Sequence, residues 1–332
     1  MEITVGGSAY LDTLLNHITR LAALGLPATD SDLDALATAA LVLEGVAADT
    51  VPNVVSALAR TTTDPVNDFA VTDPRAGSWQ DALQLDNPDG ETVALLRSRE
   101  VAGIAAAASV TVHRNAFNVS AASLHAALTT NLVAPARQGV WRQFDVAVHD
   151  SGSGRILYQP VTPDKIAAQC DRLQQYVTDS TEGPVVDAAV VLYALHTIQP
   201  FDAANGRVAL LFARQLLRDA FNGHMLAVEG LLALDRVGFH AEIAQTLHRG
   251  DVTYFAQRYA ETVLSALRAH HRNVGLLTQT PKLPAALLVL LRANQTLTVK
   301  DLPAEVTDLL DAGLITPVAG MHGLKFVSHL AV

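Results

Sequence analysis

Residues 192–214, LYALHTIQPFDAANGRVALLFAR, constrain this chain more than any other stretch. A segment that is apolar on every face has to be buried. Two such segments separated by QPFDAANGR therefore predict two core helices that meet at a polar turn. The second helix would begin with unpaired backbone N–H groups, and these, with the helix dipole, favour an anion. Asn205, Gly206 and Arg207 stand at that point. The same three residues would serve equally well as a helix cap and a core salt bridge, and the two readings carry even weight.

Half of the 332 residues are hydrophobic, enough for a globular protein of two or three domains. No apolar run suggests a membrane span, and MEITVGGSAYLD lacks the basic and apolar regions of a signal peptide, so a cytoplasmic protein is expected. A formal charge of -10 opposes nonspecific attraction to nucleic acid or to an anionic membrane. Cys170, the single cysteine, excludes an internal disulfide and a cysteine-based zinc cluster, and its setting in KIAAQCDRLQQYV suggests helix packing.

Alanine-rich periodic segments between residues 8 and 60 predict amphipathic helices. The stretch 61–91, with TDPVND, TDPRAG and DNPDG, reads as a long irregular connection. TVALLRSREVAGIAAAA resumes as helix, and SGSGRILYQPV reads as a β-hairpin. TDSTEG, 178–183, looks like a helix end plus turn, and a further helix should end near Asn222 and Gly223. His240, Glu242, His270 and His271 lack zinc-site spacing, so no metal is assigned to them.

The turn resembles the signature loop of the Fic (filamentation induced by cAMP) family, HPFx[DE]GNGRxxR. Pro200, Phe201, Asn205, Gly206 and Arg207 match it, while Gln199, Ala203, Ala204 and Leu210 replace the His, the acidic residue, the first Gly and the second Arg. Gly139, Trp141 and Arg142 match the family's upstream G-x-[YW]-R segment. The resemblance implies a mainly α fold in three parts: an N-terminal helical region (1–110), a Fic core with a β-hairpin flap (111–278) and a winged-helix-like module (279–332). Arg155, Ile156, Leu157 and Tyr158 are the flap candidates for docking a protein target or partner by strand addition. Ser98, Ala102 and Gly103 fall on the family's inhibitory-helix pattern [ST]xxxEG, with Ala102 in the Glu position. That leaves both members of the family's inhibitory ion pair, a Glu and the second Arg, replaced. The terminal module's helix PAEVTDLLDAG carries Glu305, Asp308 and Asp311, which speaks against DNA reading and for packing or dimerisation, leaving a homodimer open.

Fic proteins typically transfer AMP to protein hydroxyls, so the resemblance implies ATP or another nucleotide with magnesium as cofactor. Transfer needs a base, a metal and donors to the phosphates. Gln199 is a neutral amide at the base position and cannot accept a proton near neutral pH, which removes a factor of roughly 10²–10⁴. Asp202, one residue early, reads either as a substitute acid reaching magnesium or as a turn aspartate capping the next helix. His196 reads as a buried histidine or, less readily, as a replacement base, and Arg214 lies too deep to stand in for the second Arg. Ala204 would distort the anion nest if its backbone needs a positive φ. The expected protein is thus a degenerate transferase-like binder, with a transferase of altered mechanism or donor, and a scaffold acting through its terminal modules, as alternatives.

Overall fold

The computed structural model describes residues 3, 5–23, 32–63, 90–149, 156–221, 223–274, 296–298, 315–320 and 323–328. The described chain is mainly helical. Three helices open it: α1 (Ala9–Ala23), α2 (Leu33–Leu43) and α3 (Val54–Thr63). In α1, Leu11, Leu14, Ile18 and Leu21 recur at i, i+3, i+7 and i+10, forming one buried stripe. Asp32 caps α2 by accepting from Ala35 N at 2.9 Å.

Helix α4 (Gly90–Ala107) packs against α3 on one side and α5 (Phe117–Leu128) on the other. Gly103 permits the second contact, because a Cβ there would lie 2.6 Å from the Leu128 carbonyl oxygen. Gly103→Ala should therefore lose about 1–3 kcal/mol in denaturant unfolding, despite alanine's better helix propensity. An unchanged midpoint would show that the two backbones are not held together there.

A hairpin follows, β1 (Val148–His149) pairing antiparallel with β2 (Ile156–Tyr158). The expected flap is thus present in its two strands, while Arg155 and the SGSG turn lie outside the described residues. Helix α6 (Pro163–Asp179) ends at TDSTEG, where Ser180 Oγ donates to the Asp187 carboxylate at 2.5 Å. Cys170 on α6 is fully buried, and burial pushes its thiol up to about 12, in keeping with a packing role.

The apolar stretch that opened the reading forms the centre of the fold. In α7 (Pro184–Ile198) every residue from Val185 to Ile198 is buried. Helix α8 (Asn205–Ala220) is buried through most of its length and packs along α7. Helices α9 (Val228–Leu234), α10 (Arg236–Arg249) and α11 (Thr253–Val274) complete the body, with α11 packed on α1 and α7. Gly223, at φ +89°, sits just beyond the end of α8 as its composition suggests.

Three C-terminal strands, β3 (Thr296–Thr298), β4 (Ile315–Gly320) and β5 (Gly323–Ser328), form an antiparallel sheet of order β3–β5–β4. They lie in the segment for which a winged-helix-like module was expected; the helices expected with them fall outside the described residues. No helix among the described residues is long and apolar enough to cross a membrane.

Candidate functional site

The turn between α7 and α8 is held from within and from outside. Gln199 ends α7 in the left-handed region (φ 49°, ψ 63°), its N–H donating to Leu195 O at 3.0 Å. Pro200 then prevents continuation. Across the turn, Asn205 Oδ1 accepts from Phe201 N at 2.8 Å while its Nδ2 donates to Phe201 O at 2.9 Å. The Asn205 side chain is therefore spent on stapling the loop.

Arg142 clamps the same loop from outside. Its backbone N donates to Pro200 O (2.9 Å), its Nε to Gln199 O (2.6 Å), its Nη1 to Phe144 O (2.6 Å) and its Nη2 to Ile198 O (3.3 Å) and Val161 O. A buried guanidinium surrounded by carbonyl oxygens fixes chain direction without needing a counter-ion. Phe201 packs beneath, stacked on His125 at 4.1 Å between ring centroids and tilted against Trp141 at 4.9 Å. His125 Nδ1 accepts from Gly139 N at 2.8 Å, so Nε2 carries the proton, and burial holds the imidazole neutral, at about 3.

Ala204, where the signature has glycine, is left-handed at φ 57°, ψ 16°. The backbone thus keeps the glycine conformation with a Cβ in place. Such a residue costs about 1–2 kcal/mol. We expect Ala204→Gly to raise stability by about 1 kcal/mol, read as a higher melting midpoint; a fall would mean the Cβ packs favourably enough to outweigh the strain.

The sequence offered Asp202 as a substitute acid or as a cap on the next helix. It does not cap α8, whose N-terminus has no side-chain cap. One carboxylate oxygen pairs with Arg137 Nε at 2.5 Å, and the other is buried with no hydrogen-bond partner. Arg214 is taken up by an ion pair with Glu229.

Arg207 does not point into the loop. Its side chain is fully buried, with Nε 3.1 Å from Glu44 Oε1 and Nη1 3.2 Å from Glu100 Oε1. Glu100 also pairs with Arg97. Removing Glu100 from water outweighs the two nearby guanidiniums and pushes its carboxyl up to about 7. Helix α4 therefore sends a carboxylate to Arg207 from Glu100, two residues before Ala102, which is a different pair from the one the signature implies, whose arginine position is Leu210. Ser98 only bonds back to Ala94 O at 2.9 Å. Glu100 was findable: Leu96, Glu100, Gly103, Ile104 and Ala107 share one helical face. Nothing local marks Glu44, 163 residues from Arg207.

A cavity of about 580 Å³ opens over the turn, lined among others by Glu44, His196, Gln199, Asp202, Gly206 and Arg236, but not by Arg207. His196 donates from Nδ1 to Leu192 O at 2.9 Å, which leaves Nε2 as the acceptor. Burial holds the ring neutral, at about 4. A Cβ built on Gly206 would lie 3.3 Å from His196 Nε2 and 3.5 Å from Glu44 Oε1, so both groups press on the start of α8. Gln199 Nε2 donates to His196 O at 2.9 Å, and Tyr158 OH from β2 donates to the same oxygen at 2.8 Å. Tyr158 thus ties the flap down, while Ile156 and Leu157 are exposed. Among the described residues no cluster of three His, Cys, Asp or Glu side chains is placed to hold a metal ion.

Comparison with known proteins agrees with this geometry. The Fic/DOC family model matches residues 119–217, which run from α5 through the turn into α8. A Fic family protein from Desulfovibrio desulfuricans G20 has a similar structure, with TM-score 0.58, 14% identity, and 99% of this chain and 98% of that one covered. Fic-1 (residues 134–508) from C. elegans matches with TM-score 0.52 and 16% identity, over 82% of this chain and 72% of that one. No curated protein matches the chain by sequence. The chain carries a Fic/DOC-family domain at residues 119–217, set in the mainly helical fold of Fic-family structures.

Proposed function

We propose that this chain is a Fic-fold protein in which ordinary AMP transfer is lost and the cavity over the loop is kept for binding. Fic-family proteins typically transfer AMP from ATP, with a metal, to other proteins. The observation that carries the proposal is the position of Arg207, buried between Glu44 and Glu100 and absent from the cavity wall. A guanidinium in that setting is a core residue. It cannot reach a phosphate without giving up its contacts with the Glu44 carboxylate and with the fully buried Glu100.

The other requirements of transfer fail in the same place. Gln199 supplies no base, and Asp202 has one oxygen on Arg137. As arranged, these residues do not fit an ATP–magnesium complex. An anion arriving at the first turn of α8 would have to displace the Glu44 carboxylate.

A transferase of altered mechanism would draw on His196, the neutral acceptor in the cavity. With its conjugate acid near 4 it is a weak base for a hydroxyl. Docking of a protein at Ile156 and Leu157 on the flap remains part of the proposal, since both are exposed beside the cavity that Leu157 helps to line.

Incubation with labelled ATP and magnesium, together with a cell extract as a source of target hydroxyls, should give no AMP labelling above a no-protein control. Calorimetry with ATP, ADP and AMP should show weak or no heat for wild type. Specific labelling that depends on the loop would overturn the reading.

A further inference from the structure

The β1–β2 hairpin and the strand leading into it form one wall of the cavity, through Val146, Val148 and Leu157; Val237 and Phe239 of α10 also line it. Both feet of the hairpin are held by one side chain. The chain enters at Phe144 and leaves at Val161, and Arg142 donates to both carbonyl oxygens, from Nη1 at 2.6 Å and from Nη2. The same buried guanidinium donates to Gln199 O and Ile198 O, so the feet are tied to the turn between α7 and α8. Hydrogen bonds from a charged donor are roughly twice as strong as neutral ones.

Further along the hairpin the hold is of a weaker kind. The Tyr158 ring packs against the core, and its hydroxyl donates to His196 O at 2.8 Å. Burial pushes the phenol up, so the hydroxyl keeps its proton and remains a donor. Gln199 Nε2 donates to the same oxygen at 2.9 Å. When the Tyr158 hydroxyl leaves, His196 O therefore keeps a partner, and no buried acceptor is orphaned. Beside Tyr158, Ile156 and Leu157 are 55% and 40% exposed.

We propose that the hairpin is a hinged lid on the cavity, pivoting where Arg142 holds its two feet and latched by the Tyr158 hydroxyl on His196 O. Release of the latch swings Val148 and Leu157 away from the α10 wall and widens the mouth of the cavity. The feet and the turn stay in place, because the guanidinium bonds are the stronger set. Ile156 and Leu157 travel with the lid, so any protein docked on them would move with it.

The lid is independent of AMP transfer: labelling would defeat the proposed function and leave the lid standing, and a fixed hairpin would do the reverse. Hydrogen exchange of the full chain, read in peptides covering 144–149 and 156–161 and in α7, tests it. Tyr158→Phe keeps the ring and removes the latch. Exchange in the two hairpin segments should rise about fivefold to tenfold, the loss of one neutral bond, with α7 unchanged. Gln199→Ala removes the other donor to the same oxygen and should leave the hairpin within about twofold of wild type. Hairpin exchange unchanged in Tyr158→Phe, a rise shared equally by α7, or an equal rise in Gln199→Ala would each overturn the proposal. Should Tyr158→Phe fail to fold, wild type decides it: a lid that opens on its own exchanges at least about tenfold faster than α7, whereas exchange at the rate of α7 means that the hairpin opens only with the body.

Discussion

Arg207→Ala should destabilise the protein by about 3–5 kcal/mol at pH 8, the cost of leaving a buried ion pair without its partner. The mutation takes one guanidinium from Glu44 and leaves Glu100 with Arg97 alone, and Glu100 has no exposure through which water could replace the lost cation. The loss should shrink toward pH 5, because Glu100 can then take up a proton. A surface arginine would give less than about 1 kcal/mol, so denaturant unfolding separates the two pictures directly. A paired change, Arg207→Met with Glu100→Leu, should recover part of the loss, since it removes the isolated charge instead of exposing it. If the single variant unfolds at the wild-type midpoint, Arg207 is not a core residue.

Glu100→Gln should change how stability depends on pH. In the wild type the carboxyl is raised from about 4.5 to about 7 by burial, opposed by Arg207 and Arg97 and reinforced by Glu44. A raised carboxyl binds its proton more tightly in the folded state. Its contribution is therefore complete below about pH 4.5 and is lost as pH rises through 7. The size is about 3 kcal/mol. His125 and His196 act in the opposite sense, since their depressed values give stability above pH 6.5 that is lost as pH falls toward about 3 and about 4. The wild-type profile is thus a sum of opposing slopes, and the difference between wild type and Glu100→Gln isolates Glu100. That difference should move by about 3 kcal/mol between pH 4.5 and pH 8, in favour of the variant at high pH. A flat difference would mean that the carboxyl ionises normally in the fold.

The frame of the fold was legible because it rests on local patterns. All-apolar faces located α7 and α8, the glycine at 223 marked the end of the second, and turn chemistry marked the hairpin and the break after α6. The matched letters of the loop were legible too, and they led to the family. What the letters did not disclose was where side chains point. Asn205 matched the signature, yet its side chain is consumed in holding Phe201. Arg207 matched as well, but its direction is set by Glu44, far away in the chain and with no local mark. Asp202 was read as ligand or cap and proved to be the partner of Arg137, a residue no motif singled out. Ala204 was the one place where a sequence rule reached into the site: the need for positive φ was foreseeable from the signature glycine, and the backbone keeps it.

These partners are long-range, and a single sequence constrains them only through what must be buried. Glu100 shows how far that goes. Its place on the apolar face of α4 required a cation nearby; Arg97, three residues back on the same helix, meets that need locally, so the second cation, Arg207, carried no mark in the sequence.

The measurement that bears most directly on this account is AMP labelling by wild type and Arg207→Ala side by side, with labelled ATP, magnesium and a cell extract, the variant first shown to be folded under the assay conditions. The account predicts background labelling from both proteins. Labelling by wild type that the folded variant loses would contradict it, because Arg207 would then be serving a phosphate and not the core.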